Sequence, residues 1–218
     1  MSIRTTFPRR TGLLLLSIAL AGVALGAAPL RARAPAAAPA TPASLAPRVL
    51  FLVRHAEKAT APPKDPTLSE AGSARAEALG DLLADAGVTH LFASEFQRTQ
   101  LTLAPLAKRV GKTVTVVNAG DPAALIATLQ ALPPGAVAVV AGHSNTIPPL
   151  VRGLGGTLSG TETTPRGEML PDDEYGRVMQ LIVPSGGGSN GDGSNNGGAS
   201  TGAATTTVTS LRLHVGAR

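Results

Sequence analysis

The sequence predicts an α/β domain, a three-layer sandwich on a mostly parallel central sheet, and three observations carry that expectation. From Arg48 onward, short β-branched runs alternate with longer Ala/Leu segments, the order in which strands and crossover helices follow one another. The runs 50–53 and 136–141 are apolar throughout, as strands buried on both faces are. The runs 177–183 and 207–215 are separated only by a Gly/Ser/Asn-rich stretch, too poor in helix formers to cross over, and so predict a C-terminal antiparallel pair.

Each element has its own signal. After the first strand, at 50–53, Thr67-Leu68-Ser69-Glu70 reads as a capping box, with Thr67 capping and Glu70 reaching back. The helix it opens runs to Ala86: Ala71, Ala74, Ala78, Leu79, Leu82, Leu83 and Ala86 fall near the 3.6-residue period, and Gly87 stops it. A strand at 88–93 follows, then a helix within 94–110 that Pro105 bends or restarts. Beyond a strand at 114–117, Asp121-Pro122 supplies an N-cap and a proline in the first helical position. Pro133-Pro134-Gly135 turns the chain into the central strand 136–141, and Gly142-His143-Ser144-Asn145 leads into a short helix ending near Leu154. Residues 56–66 and 155–176 read as loops. Residues 185–202 carry one charge, Asp192, and have no core to offer, so they predict a mobile connection.

The N-terminal segments fall outside the domain. Residues 1–28 have the layout of a signal peptide: basic Arg4, Arg9 and Arg10, an apolar run at 13–25, and small residues near Gly26-Ala27-Ala28. That run falls short of the ~20 residues a membrane-spanning helix needs, so the expectation is a cleaved signal with no stable membrane insertion, and a periplasmic or extracellular location. Arg9-Arg10 also resembles a twin-arginine signal. Residues 29–47, rich in Ala and Pro, read as a tether, and 48–218 as the domain. The absence of cysteine excludes disulfides, thiolate catalysis and cysteine-based zinc sites. The formal charge of +5 owes five of its basic residues to the signal and tether, which leaves the domain near neutral. With so few aromatic residues, nothing points to nucleic acid. The sequence leaves the oligomeric state open.

The chemistry concentrates at strand ends. In open α/β sheets ligands bind beyond the carboxyl ends of the strands, where loops converge and helix N-termini present free amides. His55 and His143 each follow an apolar strand, Arg54 precedes the first, and Arg98 opens the helix after the second strand. Two guanidinium groups and two imidazoles from three loops suit a small dianion, phosphate above all, because arginine forks match its oxygens in pairs. Taken singly, each has a plainer reading as a structural histidine or a surface arginine. The joint pattern is what argues for a site.

These residues lie in motifs that resemble those of the histidine phosphatase superfamily, the phosphoglycerate mutase-like fold. Val53-Arg54-His55-Ala56-Glu57 is similar to its signature, with alanine where glycine is usual. Leu68-Ser69-Glu70-Ala71-Gly72, the Ser94–Thr99 segment and Gly142-His143-Ser144 follow in the family's order. The resemblance implies a reaction without metal or cofactor, in which His55 is the nucleophile that becomes phosphorylated and Arg54, Arg98 and His143 hold the phosphoryl oxygens. It implies a phosphoric monoester hydrolase, compact and bacterial in type, acting on a small-molecule or glycan-linked phosphate monoester. Two alternatives stand beside it: a phosphohistidine phosphatase, and a module that binds a phosphorylated ligand without turnover. The proton donor to the leaving group is open. Asp121 is a candidate, already explained as a helix cap, and Glu57, Glu168, Asp172, Asp173 and Glu174 are further ones. His90 and His214 match no motif and read as structural or exposed.

Overall fold

The computed structural model describes residues 46–185 and 205–212. The expected signal, nearly all of the tether, most of the 185–202 connection and His214 lie outside the described residues. Twelve elements follow in order: β1 (Arg48–Arg54), α1 (Glu70–Leu83), β2 (His90–Ser94), α2 (Gln97–Val110), β3 (Val114–Val117), α3 (Pro122–Gln130), β4 (Val137–Gly142), α4 (Ile147–Gly153), β5 (Glu162–Thr164), β6 (Gly167–Met169), β7 (Arg177–Val183) and β8 (Thr207–Arg212). Six strands form one sheet in the order β3-β2-β4-β1-β7-β8, and β5 and β6 pair separately. β3, β2, β4 and β1 are parallel neighbours, while β7 and β8 close the sheet as the antiparallel pair. No helix among the described residues is long and apolar enough to cross a membrane.

Strand alternation divides the core into two layers. Leu50 and Leu52 of β1 face Leu125 and Leu129 of α3 and Ile147, Leu150 and Val151 of α4. Phe51 and Val53 face the other way, onto Leu79 and Leu83 of α1 and Leu103 and Leu106 of α2. Because helices cover both faces, the interiors of β1 and β4, residues 49–53 and 137–141, are apolar throughout. Full burial of each large aliphatic side chain here contributes about 1.5–3 kcal/mol before chain entropy is counted. The sheet therefore makes a stiff platform for whatever follows Val53 and Ala141.

Element boundaries differ from expectation in a few places, each for a local reason. The cap of α1 is Ser69 rather than Thr67: the Ser69 hydroxyl accepts the Gly72 amide at 3.1 Å, and Glu70 begins the helix. Thr67 is engaged instead through its carbonyl, which accepts the Ala59 amide at 2.9 Å. α1 stops at Leu83, short of Ala86, with Gly87 at φ 69° just beyond. α2 runs unbroken through Pro105. The stretch 155–176, read as loop, contains the β5–β6 hairpin.

Gly72 explains one motif outright. A Cβ there would lie 2.1 Å from the Glu57 carbonyl oxygen, so only glycine lets the first turn of α1 pack against the loop that follows His55. The same carbonyl accepts the Ser69 amide at 2.9 Å. Replacing Gly72 by alanine forces that loop and α1 apart. The expected result is a loss of about 1–3 kcal/mol in denaturant titrations, of the kind overpacking produces, with phosphate-analogue affinity weakened in parallel.

Candidate active site

β1 and β4 lie side by side with Arg54 opposite Gly142, and the His55 amide donates to the Gly142 carbonyl at 2.8 Å. His55 and His143 therefore leave the sheet at the same level. Their rings meet edge to face with centroids 5.3 Å apart. Both are buried, at 5% and 8% exposure, in the wall of one cleft.

Backbone and side-chain partners fix both tautomers. His55 Nδ1 lies 2.8 Å from the Ala56 carbonyl, which can only accept, so Nδ1 carries the proton and Nε2 the lone pair. His143 Nδ1 lies 3.4 Å from Arg98 Nη2, which can only donate, so the proton of that ring sits on Nε2 and points to Ser94 Oγ at 2.9 Å. Ser94 ends β2, and its hydroxyl continues to Thr99 at 2.8 Å. The backbone amide of His143 is tied to Thr146 Oγ1 at 2.8 Å.

The two arginines stand on different supports. Arg54 Nη1 donates to the carbonyls of Pro171 and Asp172, both at 2.9 Å, and its guanidinium lies 4.2 Å over the Tyr175 ring. Arg98 stacks 4.4 Å over Phe96 and pairs with Asp65 at 3.6 Å. The Nε atoms of both are buried with no acceptor. His55, Arg98 and His143 line a cleft of ≈ 640 Å³ together with Lys58, Glu95, Phe96, Arg166, Met169 and Asp172, among others. Arg54 sits beside this cleft, held by the 171–175 loop. The four sequence-predicted residues thus gather at one edge of the sheet. Ala56, which stands in place of the usual glycine, is fully buried beside Leu79 and Thr102, on the side away from the cleft.

Residues 50–119 match the sequence profile described as the histidine phosphatase superfamily, branch 1. The matched stretch runs from β1 through β3 and includes Arg54, His55 and Arg98 but not His143. No curated protein matches the chain. Among solved structures it is similar to a mycobacterial glucosyl-3-phosphoglycerate phosphatase, at 19% identity and a TM-score of 0.46, over 62% of this chain and 90% of that one. It is also similar to the protein histidine phosphatase SixA in complex with tungstate, at 20% identity and a TM-score of 0.49, over 63% and 89%. A putative phosphohistidine phosphatase SixA from Agrobacterium tumefaciens aligns at 24% identity and a TM-score of 0.44, over 50% and 78%.

Within this site, burial does most to set the protonation of the imidazoles. Desolvation lowers the His55 pKa from 6.5 to about 4; the Ala56 carbonyl opposes the shift, and the charges around His143, Arg98 and Arg54 add to it. His143 is likewise lowered to about 4 by burial and then by Arg98, with Glu95 pulling the other way. Both rings are neutral at pH 7.

The carboxylates sort themselves by partner. Burial pushes the Glu57 carboxyl up, but its fork with Arg75, at 2.6 to 3.0 Å, outweighs this and holds it below the usual range. Asp121 caps α3 by accepting the Ala124 amide at 2.9 Å, Glu168 is bound by Arg152 and Thr161, and Glu174 is buried beside Arg177 and Arg212. Asp173 is exposed and, like these four, is absent from the cleft wall. Of the proton donors considered from sequence, Asp172 alone lines the cleft, and Glu95, which sequence reasoning passed over, lines it too. Half-buried His90 stacks on Phe92, away from the site. Among the described residues no three His, Asp or Glu side chains cluster as metal ligands would.

Sequence reasoning also missed Asp65. Phe96 caps α2 without a side-chain acceptor, and Asp65 fills that role from a separate loop: its carboxylate accepts the Gln97 amide at 3.0 Å and pairs with Arg98. The residue adopts φ 52°, a region aspartate and asparagine tolerate. Only its non-glycine, helix-breaking neighbourhood of prolines could have drawn attention to it.

Two outcomes are expected. Asp65→Ala should lose about 0.5–2 kcal/mol of stability as a cap is removed, and should weaken vanadate binding, whereas Asp65→Asn keeps the cap and loses only the charge. The histidines give a pH signature: their folded pKa values lie below the unfolded value, so their contribution to stability is full above pH ~6.5 and is lost as pH falls toward ~4. Denaturant titrations at pH 7 and pH 4.5 should show a smaller drop in His55→Ala than in the parent.

Proposed function

We propose that the domain is a metal-independent phosphomonoesterase acting through a phosphohistidine on His55. The observation that carries this reading is the Nδ1–H bond to the Ala56 carbonyl, which leaves a neutral Nε2 lone pair on a buried ring beside His143 and two arginines. The Nε2 lone pair attacks phosphorus, the bond from phosphorus to the ester oxygen breaks, and its electron pair leaves on that oxygen. Water then attacks phosphorus, the P–N bond breaks, its electron pair returns to the imidazole, and the water proton passes to the released phosphate or to solvent.

Arg98, Arg54 and His143 supply donors to the equatorial oxygens, where charge gathers during transfer. For the imidazole of His143 to donate from the nitrogen nearest Arg98, it must take up a proton there, and the incoming dianion favours that. Where the leaving alkoxide needs a proton, Glu95 and Asp172 are the carboxylates on the cleft wall able to relay one. Export belongs to the same reading, supported by the layout of residues 1–28.

The test is phosphate release from a chromogenic aryl phosphate with chelator present. Turnover should persist in chelator, fall by roughly 10⁴-fold or more in His55→Ala as nucleophile removal does, and fall by about 10²–10³ in His143→Ala. Quenching in alkali should trap a phosphoenzyme that acid destroys, as a phosphorus–nitrogen bond requires. A folded protein that binds phosphate but turns over no ester would instead be a binding module.

A further inference from the structure

The cleft is much larger than the phosphate site at its floor. At ≈ 640 Å³ it falls within the roughly 300–1,000 Å³ of clefts that enclose a whole small molecule, so the alcohol half of the ester has its own walls. Those walls are mainly polar, with Phe96, Met169 and Ala119 as the apolar exceptions beside Ser144, Asn145 and Asn118.

Two cations on these walls stand out because no side chain among the described residues pairs with them. Arg54, Arg75, Arg98, Arg109, Arg152, Arg177 and Arg212 each face a carboxylate, and Arg48 donates to the Leu132 carbonyl. The Arg166 guanidinium has neither kind of partner among the described residues. The ammonium of Lys58, in the loop after His55, likewise has no partner among the described residues. Neither carboxylate on the cleft wall pairs with them: Glu95 accepts the Ala119 amide at 2.8 Å, and exposed Asp172 lies 4.0 Å from Arg54.

Both cations are mounted on anchored backbone. Arg166 sits in the turn of the β5–β6 hairpin, where its amide donates to Thr164 Oγ1 at 3.1 Å. The far end of the hairpin is stitched to the site, since the Leu170 amide donates to the carbonyl of Ser144, the residue after His143, at 2.9 Å. Lys58 is bridged to Leu68 through the backbone, and its neighbour Glu57 is locked by Arg75. A cation held over a cleft by a fixed frame has less freedom to lose on meeting an anion than one on a free loop.

We propose that Lys58 and Arg166 form a second anion subsite, and that the substrate is a phosphomonoester whose alcohol half carries its own anionic group, a carboxylate or a further phosphate. The inference rests on the phosphatase reading for the position of the phosphate and adds the chemistry of the leaving group. Arg54 and Arg98 answer the phosphate being transferred, and the two unpaired cations answer the remaining charge. Focusing by the cleft walls also speeds capture of such a doubly anionic ester.

The experiment compares esters that differ in charge alone: 3- and 4-carboxyphenyl phosphate against the matching carbamoylphenyl phosphates. In the parent protein the better carboxylated ester should show a kcat/KM roughly tenfold above its carbamoyl partner, the order that two partly exposed charge pairs supply. In the Lys58→Ala, Arg166→Ala double variant that ratio should fall to about twofold or less, while Lys108→Ala, a charge change on α2 far from the cleft wall, keeps it. Equal use of the two esters by the parent, or a preference that survives the double variant, overturns the subsite. Binding of the same pairs to folded His55→Ala, followed by calorimetry, must show the same preference. If no ester is turned over by the parent but the binding preference holds, the phosphatase reading fails and the subsite stands; if turnover is His55-dependent without any charge preference, the reverse holds.

Discussion

The hydrogen bond from the His55 amide to the Gly142 carbonyl continues the β1–β4 ladder one residue past the last strand pair. Because the two strands are parallel and neighbouring, that register brings both histidines out at one height. A slip of one residue would turn every side chain of β1 to the opposite face and carry His55 away from His143. The apolar alternation of Leu50, Phe51, Leu52 and Val53 against two separate helix layers forbids the slip. The core thus acts as a gauge for the site, and the imidazoles inherit their spacing from packing that lies wholly behind them.

A second tier of contacts holds what the sheet cannot. The loop after β1 is gripped on one side by α1, through Gly72, Ser69 and the Glu57–Arg75 fork, and on the other by α2, through the Ala56 amide on Thr102 Oγ1 at 2.9 Å and through Asp65 on the first turn. Neutral imidazoles among guanidinium groups follow from this enclosure. Burial makes charging the rings costly, and the lone pair of His55 stays available well into the acidic range.

The legible part of this protein was the part written in short-range pattern. Apolar runs locate β1 and β4, and with them His55 and His143; the Asp121-Pro122 signal locates α3; Arg-His and Leu-Ser-x-x-Gly lie within the stretch 50–119 that matches the superfamily profile, and Gly-His lies beyond it. Long-range partners were not legible. Asp65 caps a helix that begins 32 residues later, and nothing in the local sequence of either segment announces the other. The β5–β6 hairpin is invisible in the sequence because strands of three residues leave no periodicity to detect. The place of Glu95 on the cleft wall depends on how the β2–α2 and β3–α3 loops meet, which no local pattern encodes. Ser69 displaced Thr67 as the cap for a tertiary reason, the approach of α1 to the Glu57 carbonyl.

The antiparallel half of the sheet has a different kind of consequence. Val53 pairs with Val178 near the histidines, whereas Arg48 pairs with Val183 and Ile182 with Thr207 at the other end. The chain therefore enters β1, leaves β7 and re-enters β8 along one rim, about 20 Å from the cleft by the length of a seven-residue strand. Length can be gained or lost at that rim without reaching the chemistry. It is a natural attachment edge: a surface, label or fused partner joined there leaves the mouth of the cleft open to solution.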